Sequence, residues 1–278
     1  MKQLYDNVSS KCSRLVTNTY STSFSLGIRC LDKELREPIC AIYGFVRFAD
    51  EIVDTFHDYN KADLLNQFTI DTYKAIKEGI SLNPILNSFQ HVVNKYNIDH
   101  ELIDLFLRSM EMDLTKTQYD QDHYEDYILG SAEVVGLMCL KVFCSGDRCQ
   151  YDELKPYAMK LGSAFQKINF LRDLNADYIK MGRTYFPGVS IEHFNEVEKK
   201  EIEKDIEADF KAGLEGIKML PRSSRFGVYL AYVYYYALFD KIKRTPSHNV
   251  LKSRIRIPNQ TKLSILFYTY CRHRLNII

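Results

Sequence analysis

Four polar residues recur at i, i+3, i+7 and i+11 in a segment otherwise rich in Phe, Leu and Ile: Gln166, Asn169, Asp173 and Asp177. An α-helix aligns that spacing into one continuous stripe. The rest of the helix asks to be buried, so the fold must tolerate carboxylates beside an apolar interior. A second segment repeats the problem: Asp50 and Asp54 are four apart in the apolar run 41–54, with Arg47 three residues before Asp50. Like charges at i,i+4 cost a helix roughly 0.2–0.5 kcal/mol, and burying unpaired carboxylates costs far more. A chain that accepts both costs twice points to a cation that offsets them.

The remaining sequence also favours helices, because only 12 Gly and 7 Pro interrupt 278 residues. The patterning predicts helices over 3–20, 33–56 (Asp32 as N-cap, Pro38 in the first turns), 61–79, 84–96, 99–116, 121–145, 152–180, 195–219, 222–244 and 259–275. Gly182 to Gly188 is expected as a loop, and the strongly charged 195–219 helix as a solvated face. Strand-length apolar runs are scarce, and 228–238 is too long and too poor in turn signals to be one. One all-α domain, 1–278, is the simplest account, and it is long enough to enclose a large internal cavity.

A net charge of +1, with no dominant basic stripe or block, gives no sign of a nucleic-acid partner. The seven cysteines form no CxxC and no zinc spacing, and are expected as small core residues in a reducing compartment. The first six residues are polar, and no run of 18 apolar residues occurs, so neither a signal peptide nor a spanning helix is expected. The expected location is the cytoplasm, with contact to a membrane surface left open, as is the oligomeric state.

Oxygen donors without His or Cys select a hard cation, and Mg²⁺ typically takes one or two carboxylates plus phosphate oxygens and water. Two acidic pairs on facing helices would hold Mg²⁺, with Mn²⁺ as the alternative, and a diphosphate would complete the coordination. Arg47 and Arg172 would add bidentate contacts to phosphate. The competing reading is a non-catalytic helical scaffold whose acidic pairs are solvated. Neither glycine fingerprint of a Rossmann or P-loop enzyme occurs.

Asp50-Glu51-Ile52-Val53-Asp54 and Asp173-Leu174-Asn175-Ala176-Asp177 resemble the two aspartate-rich motifs of squalene and phytoene synthases. Tyr20-Ser21-Thr22-Ser23-Phe24 resembles that family's N-terminal substrate-binding segment, and 41–47 the lead-in to the first motif. Met112-Asp113-Leu114, Val135-Gly136-Leu137-Met138, the stretch Gln166 to Asp173 and Gly182-Arg183-Thr184-Tyr185-Phe186-Pro187 are similar in the same order. The resemblance spans roughly 14–270 and implies an isoprenoid-synthase-type helical bundle around a central cavity.

Residue by residue, it implies that Asp50, Asp54, Asn169 and Asp173 ligate Mg²⁺, with Asp177 as a further ligand or a nearby acceptor. Arg47, Gln166 and Arg172 would bind diphosphate or orient substrate. Tyr43 and Tyr20, Ser21, Thr22 and Ser23 would line the donor site, and Arg183 and Tyr185 would sit on a loop closing over the diphosphate. Two departures stand out: Leu129 and Gly130 occupy positions where some members carry a Tyr, and Glu133 replaces a Gly.

The implied reaction is head-to-head condensation of two prenyl diphosphates through a cyclopropylcarbinyl diphosphate. Two geranylgeranyl diphosphates would give phytoene, in carotenoid biosynthesis. Two farnesyl diphosphates would give dehydrosqualene, or squalene with NADPH as reductant. A chain-elongating synthase or terpene cyclase would share the acidic motifs, although elongating enzymes usually carry Asp-Asp-x-x-Asp where this chain has Asp50-Glu51. The small residues Gly130, Ser131, Ala132 and Gly136 either leave room for a prenyl tail or allow tight helix packing.

Overall fold

The computed structural model describes residues 1–116, 118–252 and 254–274, with the side chains at 176, 177, 180, 181, 191, 259, 260, 263, 271, 273 and 274 outside the description. Among the described residues there is no sheet; the sole β feature is an isolated bridge between Gln118 and Thr184. The expected all-α bundle is present.

Helix α3 (Lys33–Asp54) runs through the middle of the molecule. It buries Leu35, Ile39, Ile42, Phe45, Ala49 and Ile52 at helical spacing. Helices α1 (Lys2–Tyr20), α4 (Lys61–Glu78), α5 (Pro84–Tyr96), α6 (His100–Thr115) and α8 (Val134–Cys144) pack around it. Phe45 stacks on Phe89 of α5 with centroids 3.9 Å apart and leans on Phe106 of α6 at 5.3 Å, closing this half of the core. The other half is α9 (Arg148–Met181), backed by α10 (Glu196–Met219) and flanked by α11 (Arg222–Lys243).

Helix ends follow the local sequence. Asn83 accepts from the Ile85 and Leu86 amides and Pro84 occupies the first turn of α5. Asn195 and Glu198 form a capping box on α10. Gly79 closes α4 at φ +71°, a conformation glycine adopts without a Cβ penalty. Asp32 does precede α3, but its side chain makes no capping bond.

Four departures from the sequence reading have physical causes. The Tyr20–Ser23 segment breaks at Ser21 and resumes as a short helix, α2 (Thr22–Arg29), because the Ser21 hydroxyl caps the Phe24 amide. The expected 121–145 helix is α7 (Gln121–Ile128), a π-turn Leu129–Glu133, and α8. This rod, Gln121–Cys144, is long and apolar enough by composition to span a membrane, but half of it is buried in the bundle. Helix α10 is not a merely solvated face. Lys199 and Glu203 are buried together at 2.5 Å, and Lys167 of α9 reaches Asp205 and Asp209 at 2.5 and 2.6 Å. Of the cysteines, Cys40 and Cys144 are core residues, Cys12, Cys30 and Cys139 are half-buried and Cys149 is exposed; Cys271 lies outside the described side chains. Helices α12 (Ser247–Val250) and α13 (Asn259–Arg274) complete the chain.

Candidate active site

A cavity of about 510 Å³ opens between α2, α3, α8, α9, α10 and α11. Of the candidate residues, Tyr20, Ser21, Tyr43, Arg47, Asp50, Gln166, Asn169 and Arg172 all line it. On α3, Asp50 faces the cavity. Desolvation, and then the Asp54 carboxylate one turn on, push Asp50 up to about 7. Asp54 is raised too, by desolvation first, against the pull of Arg183. Arg47 pairs with Glu51, lies 3.9 Å from Asp50, and stacks its guanidinium 4.5 Å from the Tyr20 ring centroid. Its Nε is buried without a hydrogen-bond partner.

On α9 the polar stripe is internally wired. Gln166 Nε2 donates to Ser131 Oγ at 3.2 Å and Asn169 Nδ2 donates to Gln166 Oε1 at 3.4 Å, leaving Asn169 Oδ1 buried with no partner. Arg172 Nε donates to Asp173 at 3.0 Å. Arg254 joins the same carboxylate, Nε at 2.8 Å from Oδ1 and Nη2 at 3.1 Å from Oδ2. The Asp177 side chain lies outside the described residues. Thr22 Oγ1 accepts from Lys262 at 3.0 Å outside the cavity lining, and Ser23 is half-buried beside it.

Arg183 and Tyr185, on the loop after the second motif, are both buried. Arg183 Nη1 lies 2.9 Å from Asp113 Oδ1 and 3.6 Å from Asp54 Oδ1, donates to the Tyr185 hydroxyl at 3.2 Å, and donates from Nη2 to the Asp113 carbonyl. Tyr127 Oη donates to Asp113 Oδ2 at 2.6 Å, while Tyr119 and Tyr185 approach Oδ1 at 3.4 Å. Burial raises Asp113 to about 6, with Arg183 and Tyr127 opposing. The same burial, reinforced by Asp113, holds the Tyr127 phenol well above its ordinary range. Asp113 and Tyr127 were absent from the sequence-derived site. The available signal was an aspartate amid Met110, Met112 and Leu114 on a buried helix face.

The small residues divide between helix packing and cavity lining. A Cβ on Gly130 would lie 2.5 Å from the Leu105 carbonyl, so this glycine permits close packing of the π-turn on α6. Ser131, Ala132 and Gly136 instead line the cavity. Glu133 points away from it, accepting from Ser163 Oγ and tying the π-turn to α9.

Among the described residues, no three His, Cys, Asp or Glu side chains converge into a ready-made metal cage. The donors nevertheless fit a hard cation that keeps much of its coordination as phosphate and water. Asp50 and Asp54 crowd two desolvated carboxylates together, and Asn169, which lines the same cavity as Asp50, carries a buried oxygen without a partner. Asp50, Asp54, Asn169 and Asp173 would hold it.

An α-helical bundle enclosing an apolar cavity, with two acidic helices at its mouth, defines an isoprenoid-synthase type of architecture. Residues 17–261 match the squalene/phytoene synthase family, and the chain belongs to it. It is 27% identical over 196 residues to 4,4'-diapophytoene synthase of Staphylococcus haemolyticus, an alignment covering 68% of this chain and 66% of that protein. It is 25% identical to phytoene synthase of Arthrospira platensis, covering 94% and 92%. The solved structure of a dehydrosqualene synthase in complex with ligand superposes with TM-score 0.81 at 21% identity, covering 98% of each chain, which supports the fold.

Proposed function

We propose that this chain is a Mg²⁺-dependent prenyltransferase that condenses two geranylgeranyl diphosphates head-to-head to phytoene. The observation that carries the chain length is the depth of the cavity. Lining residues run from Asn169 to Leu154 on α9, and from Ser131 in the π-turn to Phe143 on α8. At a rise of 1.5 Å per residue these stretches are about 22 and 18 Å long. At roughly 1.2 Å of extension per bond, as along an extended backbone, the sixteen-bond chain of a C20 prenyl group spans about 19 Å and a C15 group about 14 Å.

Arg47 and Arg172, which line the cavity, would take the diphosphate as it leaves, an electrostatic stabilisation of charge that develops in the transition state. Bound Mg²⁺ would supply further neutralisation of that leaving charge. Departure of the first diphosphate leaves an allylic cation, which the double bond of the second prenyl chain attacks; loss of a proton from the resulting cation closes the ring of the cyclopropylcarbinyl diphosphate. Loss of the second diphosphate, rearrangement and loss of a second proton give the C40 hydrocarbon with a central conjugated triene, two diphosphates and two protons being released overall with no net oxidation or reduction. Phe24, Phe165 and Tyr235 offer ring faces along the cavity, Phe165 and Tyr235 stacked at 4.0 Å, where a cation is stabilised without being trapped.

The likeness to 4,4'-diapophytoene synthase favours a second reading, condensation of two farnesyl diphosphates. Incubation with Mg²⁺ and either diphosphate, without NADPH, separates them. A C40 hydrocarbon supports the proposal, a C30 product transfers the assignment to the second reading, and no head-to-head product from either sinks both.

A further inference from the structure

Ser131 lies at the centre of the π-turn that joins α7 to α8. The turn is clamped on two sides. Gly130 lets it approach α6, where a Cβ would lie 2.5 Å from the Leu105 carbonyl. Gly162 of α9 admits the Ala132 carbonyl, from which a Cβ would be 2.8 Å away. Beside that contact Glu133 accepts from Ser163 Oγ. Ser131 is therefore held in place against α9, and Gln166 lies one helical turn beyond Gly162 on the same face.

From Ser131 two hydrogen bonds run in series along α9. Gln166 donates through Nε2 to Ser131 Oγ at 3.2 Å, which leaves Gln166 Oε1 to accept from Asn169 Nδ2 at 3.4 Å. A primary amide has one donating and one accepting end, and its neighbours decide which end faces where. With its nitrogen spent on Gln166, Asn169 keeps Oδ1 buried and unpartnered. A buried acceptor without a partner is costly, and a bound cation would satisfy it. Ser131, Gln166, Asn169 and Asp50 line one cavity. A hard cation takes oxygen donors, so only one of the two orientations of the Asn169 amide can serve it.

We propose that Ser131 is a positioning residue for the cation site: by accepting from Gln166 it fixes the Gln166 amide, and through that amide it keeps the oxygen of Asn169 free for a bound Mg²⁺. The inference rests on the reading of Asn169 as a Mg²⁺ ligand, and is independent of which prenyl chain the cavity takes. Ser131 acts through Gln166 and Asn169 and is not itself a ligand. Without the Ser131 hydroxyl, Gln166 Nε2 loses its acceptor, and the unpartnered Asn169 Oδ1 lies three residues along the same helix face. Both amides then turn over together, which covers the oxygen that the cation needs.

The test is calorimetric binding of Mg²⁺ with inorganic diphosphate to the full chain. Ser131→Val should weaken it about tenfold, as loss of a partner that orients a metal ligand does. Ser131→Thr, which keeps the hydroxyl, should bind like the native chain. Ser131→Ala gives the same readout should the Val variant fail to fold. The deciding comparison is made beside Asn169→Asp. A carboxylate offers oxygen at both ends, so in that background Ser131→Val should cause no further loss. A loss that persists beside Asn169→Asp would mark a structural effect and overturn the proposal, as would native affinity in every folded variant that lacks the hydroxyl. A native chain that does not bind Mg²⁺ with diphosphate would instead overturn the cation reading, and the proposal with it.

Discussion

The Arg183 guanidinium bridges Asp113, at 2.9 Å, to Asp54 of the first acidic pair, at 3.6 Å. One buried cation thus ties α6 to the end of α3 and fixes where the outer carboxylate of the pair can sit. Tyr127 completes the arrangement by donating to the other oxygen of Asp113.

Removing one partner of a buried ion pair strands the other. Asp113→Asn is expected to destabilise the protein by about 3 kcal/mol in urea unfolding. Asp113→Asn with Arg183→Met should cost clearly less than the sum of the two single changes, since the stranded charge is gone. Additive losses in that cycle would show that the two residues do not act as a pair.

Asp50 gives a pH dependence with a definite sign. Its carboxyl is pushed up to about 7 in the folded chain, above the ordinary carboxylate value, so the folded state holds the proton more tightly. Its contribution to stability is fully present below about pH 4 and lost as pH rises through 7. Thermal melts of the ligand-free protein between pH 5 and 8 should show this decline, and Asp50→Asn should flatten it. Binding of Mg²⁺ with inorganic diphosphate near pH 6.5 should release protons, measured by calorimetry in buffers of different ionisation enthalpy. No proton release would remove Asp50 from the cation site.

Much of the site was legible because its residues are periodic. Asp50 and Asp54, and Gln166, Asn169 and Asp173, betray themselves by recurring on one helix face against an apolar background. Asp113 does not recur, so spacing could not reveal it; only the tertiary approach of Arg183 and three tyrosines makes it a centre. Arg254 lies 81 residues from its partner Asp173 in a basic stretch that resembles ordinary surface. Helix α10 misleads for a related reason: its charges appear solvated in sequence, yet Lys199 and Glu203 neutralise one another inside. The π-turn was hidden because an extra residue within a helical run leaves composition unchanged, and its cause is visible only where Gly130 meets Leu105.

That contact is itself testable. Gly130→Ala places a methyl 2.5 Å from a backbone carbonyl and 2.6 Å from the Ser109 Cβ, neither of which is the mobile end of a side chain. The helices must part, and a loss of about 1–3 kcal/mol is expected, as for other overpacked cores. Gly79→Ala meets no neighbour within 4 Å and is strained only by its φ of +71°, so its cost should be smaller, about 1 kcal/mol. Comparable melting temperatures for the two variants would contradict the close approach of α6 and the π-turn.

The depth of the cavity makes the last prediction. Phe143 on α8 and Leu154 on α9 are the lining residues furthest along their helices from the acidic mouth, so their bulk limits how long a tail can extend. Under the proposed reaction, Leu154→Trp shortens the space by about one isoprene unit, the four-bond length of roughly 5 Å at 1.2 Å per bond. The C40 product should fall at least tenfold while farnesyl diphosphate is now condensed to a C30 product. The substitution lies over ten helical residues from Asn169, so the affinity for inorganic diphosphate should not change. Retention of the C40 product by Leu154→Trp, in a folded protein, would show that the tail does not reach this end of the cavity and that depth does not set the chain length.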